Sequence, residues 1–200
     1  MIGKNDCWQG SGRVFVFALV ITPITILLHE FGHLSVAVLA GRTAQLHSAS
    51  VSGGVLAGDP VWLQAAQVGT GPFVTLMLTA AGLVAYKRTN KTWALALAAA
   101  AASRFVTDLG YVGIRTFLFA FQKPFGGNPN FDELVFARLI GLSDIVASIT
   151  ASLVLLATTW LLWRWTERRC RAHRFGAAVL AVIAAYIPML AWGEATILAV

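Results

Sequence analysis

The chain has 200 residues, of which 58% are hydrophobic and 12% charged, against roughly 25% charged in a soluble domain. That balance excludes a soluble globular fold, a disordered chain and a coiled coil, and the mean hydropathy of +0.72 points to a bilayer as solvent. Fifteen Lys and Arg against nine Asp and Glu do not indicate nucleic acid, because the basic residues flank apolar runs and read as topology signals.

The expected architecture is an all-α integral membrane protein of one domain over residues 1–200, with five spans at about 14–40, 68–86, 93–121, 145–163 and 175–200. The first run follows Arg13 and superficially resembles a signal peptide, but it continues to Ala40, too far for a cleaved leader. As a helix it is about 40 Å long, with Pro23 as the expected kink. A polar stretch from Gly41 to Gln67 follows, with turn signals at Gly53-Gly54 and Asp59-Pro60 and a faint alternation at Leu46, Ser48, Ser50 and Ser52. It predicts a short β-hairpin at the membrane surface.

Gly71-Pro72 reads as a turn and helix start for the second span, which closes on Lys87, Arg88 and Lys91. The third begins at Trp93 in an Ala-rich run and carries Arg104, Asp108 and Arg115, compatible with one long helix or a helix and a surface segment. Gln122 to Asn130 is loop by composition. The fourth span is followed by Arg164, Arg168, Arg169, Arg171 and Arg174, and the fifth runs from Phe175 to the C-terminus. Cys7 and Cys170 lie far apart, outside any CxxC, and are expected as free thiols.

Five spans bring the N-terminus, the Lys87 loop and the Arg168 loop to one side, together with ten of the fifteen basic residues: Lys4, Arg13, Lys87, Arg88, Lys91, Arg164, Arg168, Arg169, Arg171 and Arg174. The positive-inside rule makes that side cytoplasmic, in what is expected to be a bacterial cytoplasmic membrane. Trp8, Trp93, Trp160 and Trp163 anchor the same interface, while Trp62 and Trp192 mark the other. The arginines after Trp163 also suit anionic lipid headgroups.

Within the first span stands His29-Glu30-Phe31-Gly32-His33, an HExxH. Two histidines four apart share a helical face and can hold one zinc ion, with Glu30 beside the metal as general base for a bound water. Chance yields about 0.002 such matches in a chain of this composition, and three ionisable groups inside a membrane helix have no evident packing purpose. Such a site needs a third protein ligand and an open position for water.

An HExxH in a first membrane segment, followed by Gly71-Pro72-Phe73-Val74-Thr75 in the second, resembles the site-2 protease family of intramembrane zinc metalloproteases. That family places Gly-Pro-x-x-Asn at this point, here with Thr75 for Asn, and takes its third ligand from an Asp on a later segment, usually in Leu-Asp-Gly, which this chain lacks. The resemblance implies one zinc per chain, Glu30 as catalytic base, His29 and His33 as ligands, and Gly71, Pro72 and Thr75 as substrate-positioning residues. It offers Asp132, in Gly127-Asn128-Pro129-Asn130-Phe131-Asp132-Glu133, as the divergent third ligand. Asp108 is the rival, though Arg104 four residues earlier can simply pair with it, and Asp144 reads equally as a first-turn acid. His47 reads as a solvated histidine, and Glu194 has no assigned role.

The implied activity is a zinc-dependent endopeptidase acting on a membrane-protein substrate within the lipid bilayer, with the loop 45–54 able to clamp a substrate strand by edge pairing. The alternative is a non-proteolytic metal-binding membrane protein, a transporter or regulatory pseudoprotease. Intact Glu30 argues against it, since the metal does not need that residue as a ligand. Oligomeric state leaves no mark on the sequence.

Overall fold

The computed structural model describes residues 4–55, 57–121, 131–191 and 196–199. It is mostly helical, with five helices long and apolar enough to cross a membrane: Cys7–Leu39, Val61–Thr89, Thr92–Ala120, Asp144–Trp165 and Arg168–Met189. A three-stranded sheet completes it.

Helix α1 (Lys4–Leu39) is the axis of the bundle and packs against α2 (Val61–Thr89), α3 (Thr92–Ala102) and α7 (Arg171–Ala191). Pro23 lies inside it. Its buried hydroxyls, Thr22 and Thr25, donate to the carbonyls of Ala18 and Thr22, so neither is stranded in the apolar core. The Ala-rich run forms α3, an apolar helix whose alanines at 94, 96, 98 and 100–102 are all buried. Small side chains bring helix backbones close together where lipid offers no competing hydrophobic drive. Val14, Tyr86, Leu95, Leu162 and Ala178 fill the core at one end. Outward, Val20, Phe73, Met77, Leu153 and Ile183 are exposed, which suits an apolar surround.

The third apolar run is the longer of the two alternatives, one continuous helical stretch from Thr92 to Ala120 with a local irregularity. A 3-10 turn at Ser103–Phe105 is that irregularity, and α4 (Val106–Ala120) continues beyond. Helix α5 (Asp132–Leu139) and α6 (Asp144–Trp165) follow. The loop expected at Gln122–Asn130 lies outside the described residues, as do Trp192 and Glu194.

The hairpin is present. Helix α1 ends at a glycine with left-handed backbone, Gly41 at φ +67°, where the Arg42 N–H bonds to the Ala37 carbonyl and the Gly41 N–H to that of Val38. This paired closure turns the chain back on itself. Strand β1 (Ala44–His47) then pairs antiparallel with β2 (Val51–Gly53) in the register Ala44 to Gly53. Ala44 and Leu46 bury against Leu34 and Ala37 of α1, fixing which face of the hairpin looks inward.

Three expectations need correction. The segment from Val61 to Gln67 is helical, so α2 starts before residue 68 and Pro72 lies inside it rather than at a helix start. The last apolar run does not continue as helix to the C-terminus: α7 ends at Ala191, and Thr196–Ala199 forms β3, antiparallel to β1 on the side away from β2. Sequence hydropathy does not distinguish a short apolar strand from the end of a helix. Finally, Cys7 and Cys170 are not free thiols but a disulfide, 163 residues apart in sequence with Cα atoms 5.1 Å apart. Sequence distance hid it, because α7 starts at the same end of the bundle as α1 and runs parallel to it, with Val14 near Ala178 and Ala18 near Ala181.

The same end of the bundle carries the aromatic and basic belt. Lys87 lies over Trp165, Arg164 over Trp160 and Arg171 over Trp163. Tyr86 Oη and Thr166 Oγ1 share a buried hydrogen bond of 2.9 Å beneath it. Denatured without reductant, the protein is expected to take up no thiol label, and to take up two after reduction. Cys7→Ser or Cys170→Ser should lower stability by about 2–5 kcal/mol, read by denaturant titration. Labelling of both cysteines before reduction would remove the bond.

Candidate metal centre

His29 and His33 are one helical turn apart on α1, as an i, i+4 pair must be. Both rings point at the same oxygen, Asp132 Oδ2, which stands at the first residue of α5. The distances are 2.9 Å from His29 Nε2 to Asp132, 3.2 Å from His33 Nε2 to Asp132, and 3.2 Å between the two Nε2 atoms. The histidines are buried at 1% and 6% exposure, and Asp132 is part-exposed.

Each ring is held from behind. His33 Nδ1 donates to the backbone carbonyl of Gln67 at 2.7 Å, and because a carbonyl only accepts, the Nδ1 carries the proton. His29 Nδ1 is 2.8 Å from Thr75 Oγ1 on α2. Both Nε2 atoms are thereby turned to the centre. Burial pushes the Asp132 carboxyl up, but hydrogen bonds with His29 and His33, and then their charges, hold it well below the ordinary carboxylate range. Three possible metal-ligand atoms converge. A proton can bridge one edge of that triangle, whereas a metal ion satisfies all three corners, and His29, His33 and Asp132 can hold one.

Gly71 makes the convergence possible. A Cβ there would lie 2.2 Å from His33 Nε2 and 2.7 Å from His29 Nε2, in the space the rings occupy. Thr75 is buried behind His29, so its place is that of a support for the ring. Pro72 is half-buried on the same helix and lines a second apolar pocket with Phe136 and Val146. The short helix α5 is seated by Leu134 in the core and by the Phe136 ring against Gly69 of α2.

Asp108 is elsewhere. It is fully buried, bonded to Ser148 Oγ at 3.2 Å, and its second oxygen has no hydrogen-bond partner among the described residues. Asp144 stands in the first turn of α6, 3.4 Å from Arg138 Nε. His47 Nε2 is 2.9 Å from Ser52 Oγ within the hairpin.

Glu30, 4% exposed, faces the site from α1. Its partner is a correction to the sequence reading: Arg104 Nη2 donates to Glu30 Oε1 at 3.1 Å, and Arg104 does not pair with Asp108. The i, i+4 spacing suggested Asp108, but the 3-10 turn at Ser103–Phe105 breaks that spacing. Next to Asp132, Glu133 is pushed up to about 7, by burial first and then by the charge of Asp108.

Two residues of the site escaped the sequence reading. Gln67 supports His33 with its carbonyl while its side-chain oxygen accepts from the Val55 N–H at 2.7 Å, tying the hairpin to the metal centre. Nothing local marks a backbone acceptor. Arg104 reads from the sequence as a partner for Asp108, although a cation inside an apolar run is itself a default sign of function.

Glu30, His33 and Asp132 open onto a groove of about 1110 Å3. Ala99 and Ala102 of α3 line its floor, and Leu155 of α6 and Ile183 of α7 its walls. The two wall helices meet near their connection, where Trp163 and Phe175 stack edge to face at 5.1 Å. Ser50 and Val51 of the hairpin border its mouth at the metal centre. No protein-family model, curated protein or solved structure matches this chain.

His29→Ala and His33→Ala should each abolish metal binding, and Asp132→Ala should weaken it, read as metal content of the purified protein. Gly71→Ala should do the same by displacing the rings while changing no ligand residue, and Thr75→Val should cost about 10–100-fold in metal affinity. Asp108→Ala should leave metal content unchanged. Metal at wild-type occupancy in both histidine variants would refute the centre.

Proposed function

We propose that this protein is a zinc-dependent intramembrane endopeptidase, similar to the site-2 proteases, that cuts a membrane-protein substrate in or near a transmembrane segment. One observation carries the reading: the carboxylate of Glu30 lies beside a two-histidine, one-carboxylate metal centre at the end of an apolar groove. The donor set suits zinc. Two imidazole nitrogens and one carboxylate oxygen 2.9–3.2 Å from one another would hold such an ion.

Bound zinc supplies a water whose pKa falls towards about 7 and a Lewis acid for the scissile carbonyl. The chain's own residues do the rest. Glu30 accepts a proton from the water as its oxygen bonds to the carbonyl carbon and the carbonyl electron pair moves onto oxygen; Glu30 then returns the proton to the amide nitrogen as the C–N bond breaks. The apolar groove receives the side chains flanking that bond and excludes bulk water. An extended substrate strand pairs with the hairpin through the edge of β2 at Val51, since β3 already occupies the other side of β1. Lipid surrounds the five helices, whose exposed faces are apolar.

Orientation follows from charge. Ten basic residues at the Trp-rich end place it, and the N-terminus, in the cytoplasm, and the metal centre towards the opposite face. The Cys7–Cys170 bond pulls the other way, because cytosolic thiols are kept reduced. Charge acts during insertion, before any thiol is oxidised, and the two cysteines, at 7% and 0% exposure, are screened from soluble reductants. The charge-based orientation is therefore adopted.

Glu30→Gln is expected to keep zinc and to abolish cleavage of a membrane-protein substrate, followed by the appearance of fragments in reconstituted vesicles. Cleavage at the wild-type rate would end the peptidase reading, and a metal-dependent flux surviving in this variant would favour a transporter. Reporter fusions after Lys91 and Arg171 should read cytoplasmic and one after Val200 external. The reverse pattern inverts the orientation.

A further inference from the structure

Arg104 is the only cation in the groove at the metal centre among the described residues that line it, and it is there because of a local break in helical geometry. The apolar run from Thr92 to Ala120 tightens into a 3-10 turn at Ser103–Phe105, with Ser103 Oγ donating to the Ala100 carbonyl and Thr107 Oγ1 to that of Arg104. A stretch of 3-10 inside a longer helix commonly marks a functional position. Here it presents the Arg104 side chain, 19% exposed, to Glu30 and to the groove.

The packing gains little from this pair. Taking two charges out of water costs about as much as their attraction returns, and an apolar pair of similar volume would serve a structural role as well. The guanidinium carries five N–H donors in a rigid fork, of which one Nη2 contact engages Glu30 Oε1, and no Arg104 nitrogen is buried without a partner. Arg104 lines the groove beside Glu30, where a scissile carbonyl must lie for Glu30 to serve it, and has donors beyond the one that engages Glu30.

We infer that Arg104 is a catalytic residue that stabilises the oxyanion of the tetrahedral intermediate. This rests on the hydrolase reading above and assigns a role to a residue outside the HExxH. The charge accounting is simple. Before attack Glu30 is the anion and Arg104 its counter-ion. As the water oxygen bonds to the carbonyl carbon, the proton neutralises Glu30 and the displaced carbonyl electron pair makes a new anion on oxygen, still within reach of the guanidinium. When the C–N bond breaks, that electron pair re-forms the carbonyl, the proton passes to the leaving nitrogen, and Glu30 is again the anion. One fixed cation therefore accompanies the negative charge through both states without reorganising, which is what preorganised electrostatic stabilisation requires.

The test uses two stable peptides with the same apolar side chains, one carrying a phosphinate in place of the scissile amide, a tetrahedral anion, the other an uncharged hydroxyethylene. Affinities are measured on zinc-loaded full-length protein. Arg104→Gln should weaken the phosphinic peptide by about tenfold or more and the hydroxyethylene peptide by less than about twofold, with zinc content unchanged, and Arg104→Lys should recover part of the loss. The same Arg104→Gln loss should persist in a Glu30→Gln background. If it vanishes there, Arg104 only neutralises Glu30 and the assignment is overturned; equal loss for both peptides, or loss of zinc, overturns it as well. A wild-type protein that holds zinc but binds neither peptide removes the hydrolase reading itself.

Discussion

His29 Nε2, His33 Nε2 and Asp132 Oδ2 crowd into a single triangle 2.9–3.2 Å on a side, and much of the structure serves to hold them there. The histidines share one helix, which fixes their spacing but not the direction of their rings. That direction comes from α2, through a carbonyl at Gln67, a hydroxyl at Thr75 and the absent side chain of Gly71 between them. The third atom arrives on α5, docked against the same α2. Helix α2 is thus the template of the centre although it contributes no ligand.

Much of this was legible in the sequence. The five apolar helices, the hairpin and the spacing of His29, Glu30 and His33 follow from local pattern, since hydropathy, glycine pairs and an i, i+4 repeat are properties of adjacent residues. Even Asp132, 99 residues beyond His33, could be nominated from its motif, and the structure brings that residue rather than Asp108 to the rings. The pairings across the bundle were not legible. Cys7 with Cys170, Arg104 with Glu30 and β3 with β1 depend on how helices return through space, which one sequence does not encode locally. Arg104 shows the mechanism of such an error: helical spacing linked it to Asp108, and a single 3-10 turn redirected it to Glu30.

The two ends of the bundle are built on different principles. At the basic end the contacts are covalent, aromatic and tightly packed, through Cys7–Cys170, the cation-bearing tryptophans and the Val14–Leu162 core. At the other end hydrogen bonds with Gln67 and Thr75 hold the histidines, and Glu30, His33 and Asp132 border a groove between the helices. A scaffold that is rigid at one end can keep its chemistry open at the other, since the groove need not contribute to holding the helices together.

Helix α5 has only eight residues, too few to hold a helix by itself in water, and its anchors are a leucine, a phenylalanine and the carboxylate of Asp132. A cation shared between that carboxylate and the imidazoles of α1 is then also a fastener between two elements about a hundred residues apart in the chain. Were an ion bound there, docking of α5 and occupancy would form a single equilibrium, and free metal concentration would set the population of the assembled form by mass action. Scarcity of the ion would act first as a loosening of tertiary structure and only through it as a loss of chemistry.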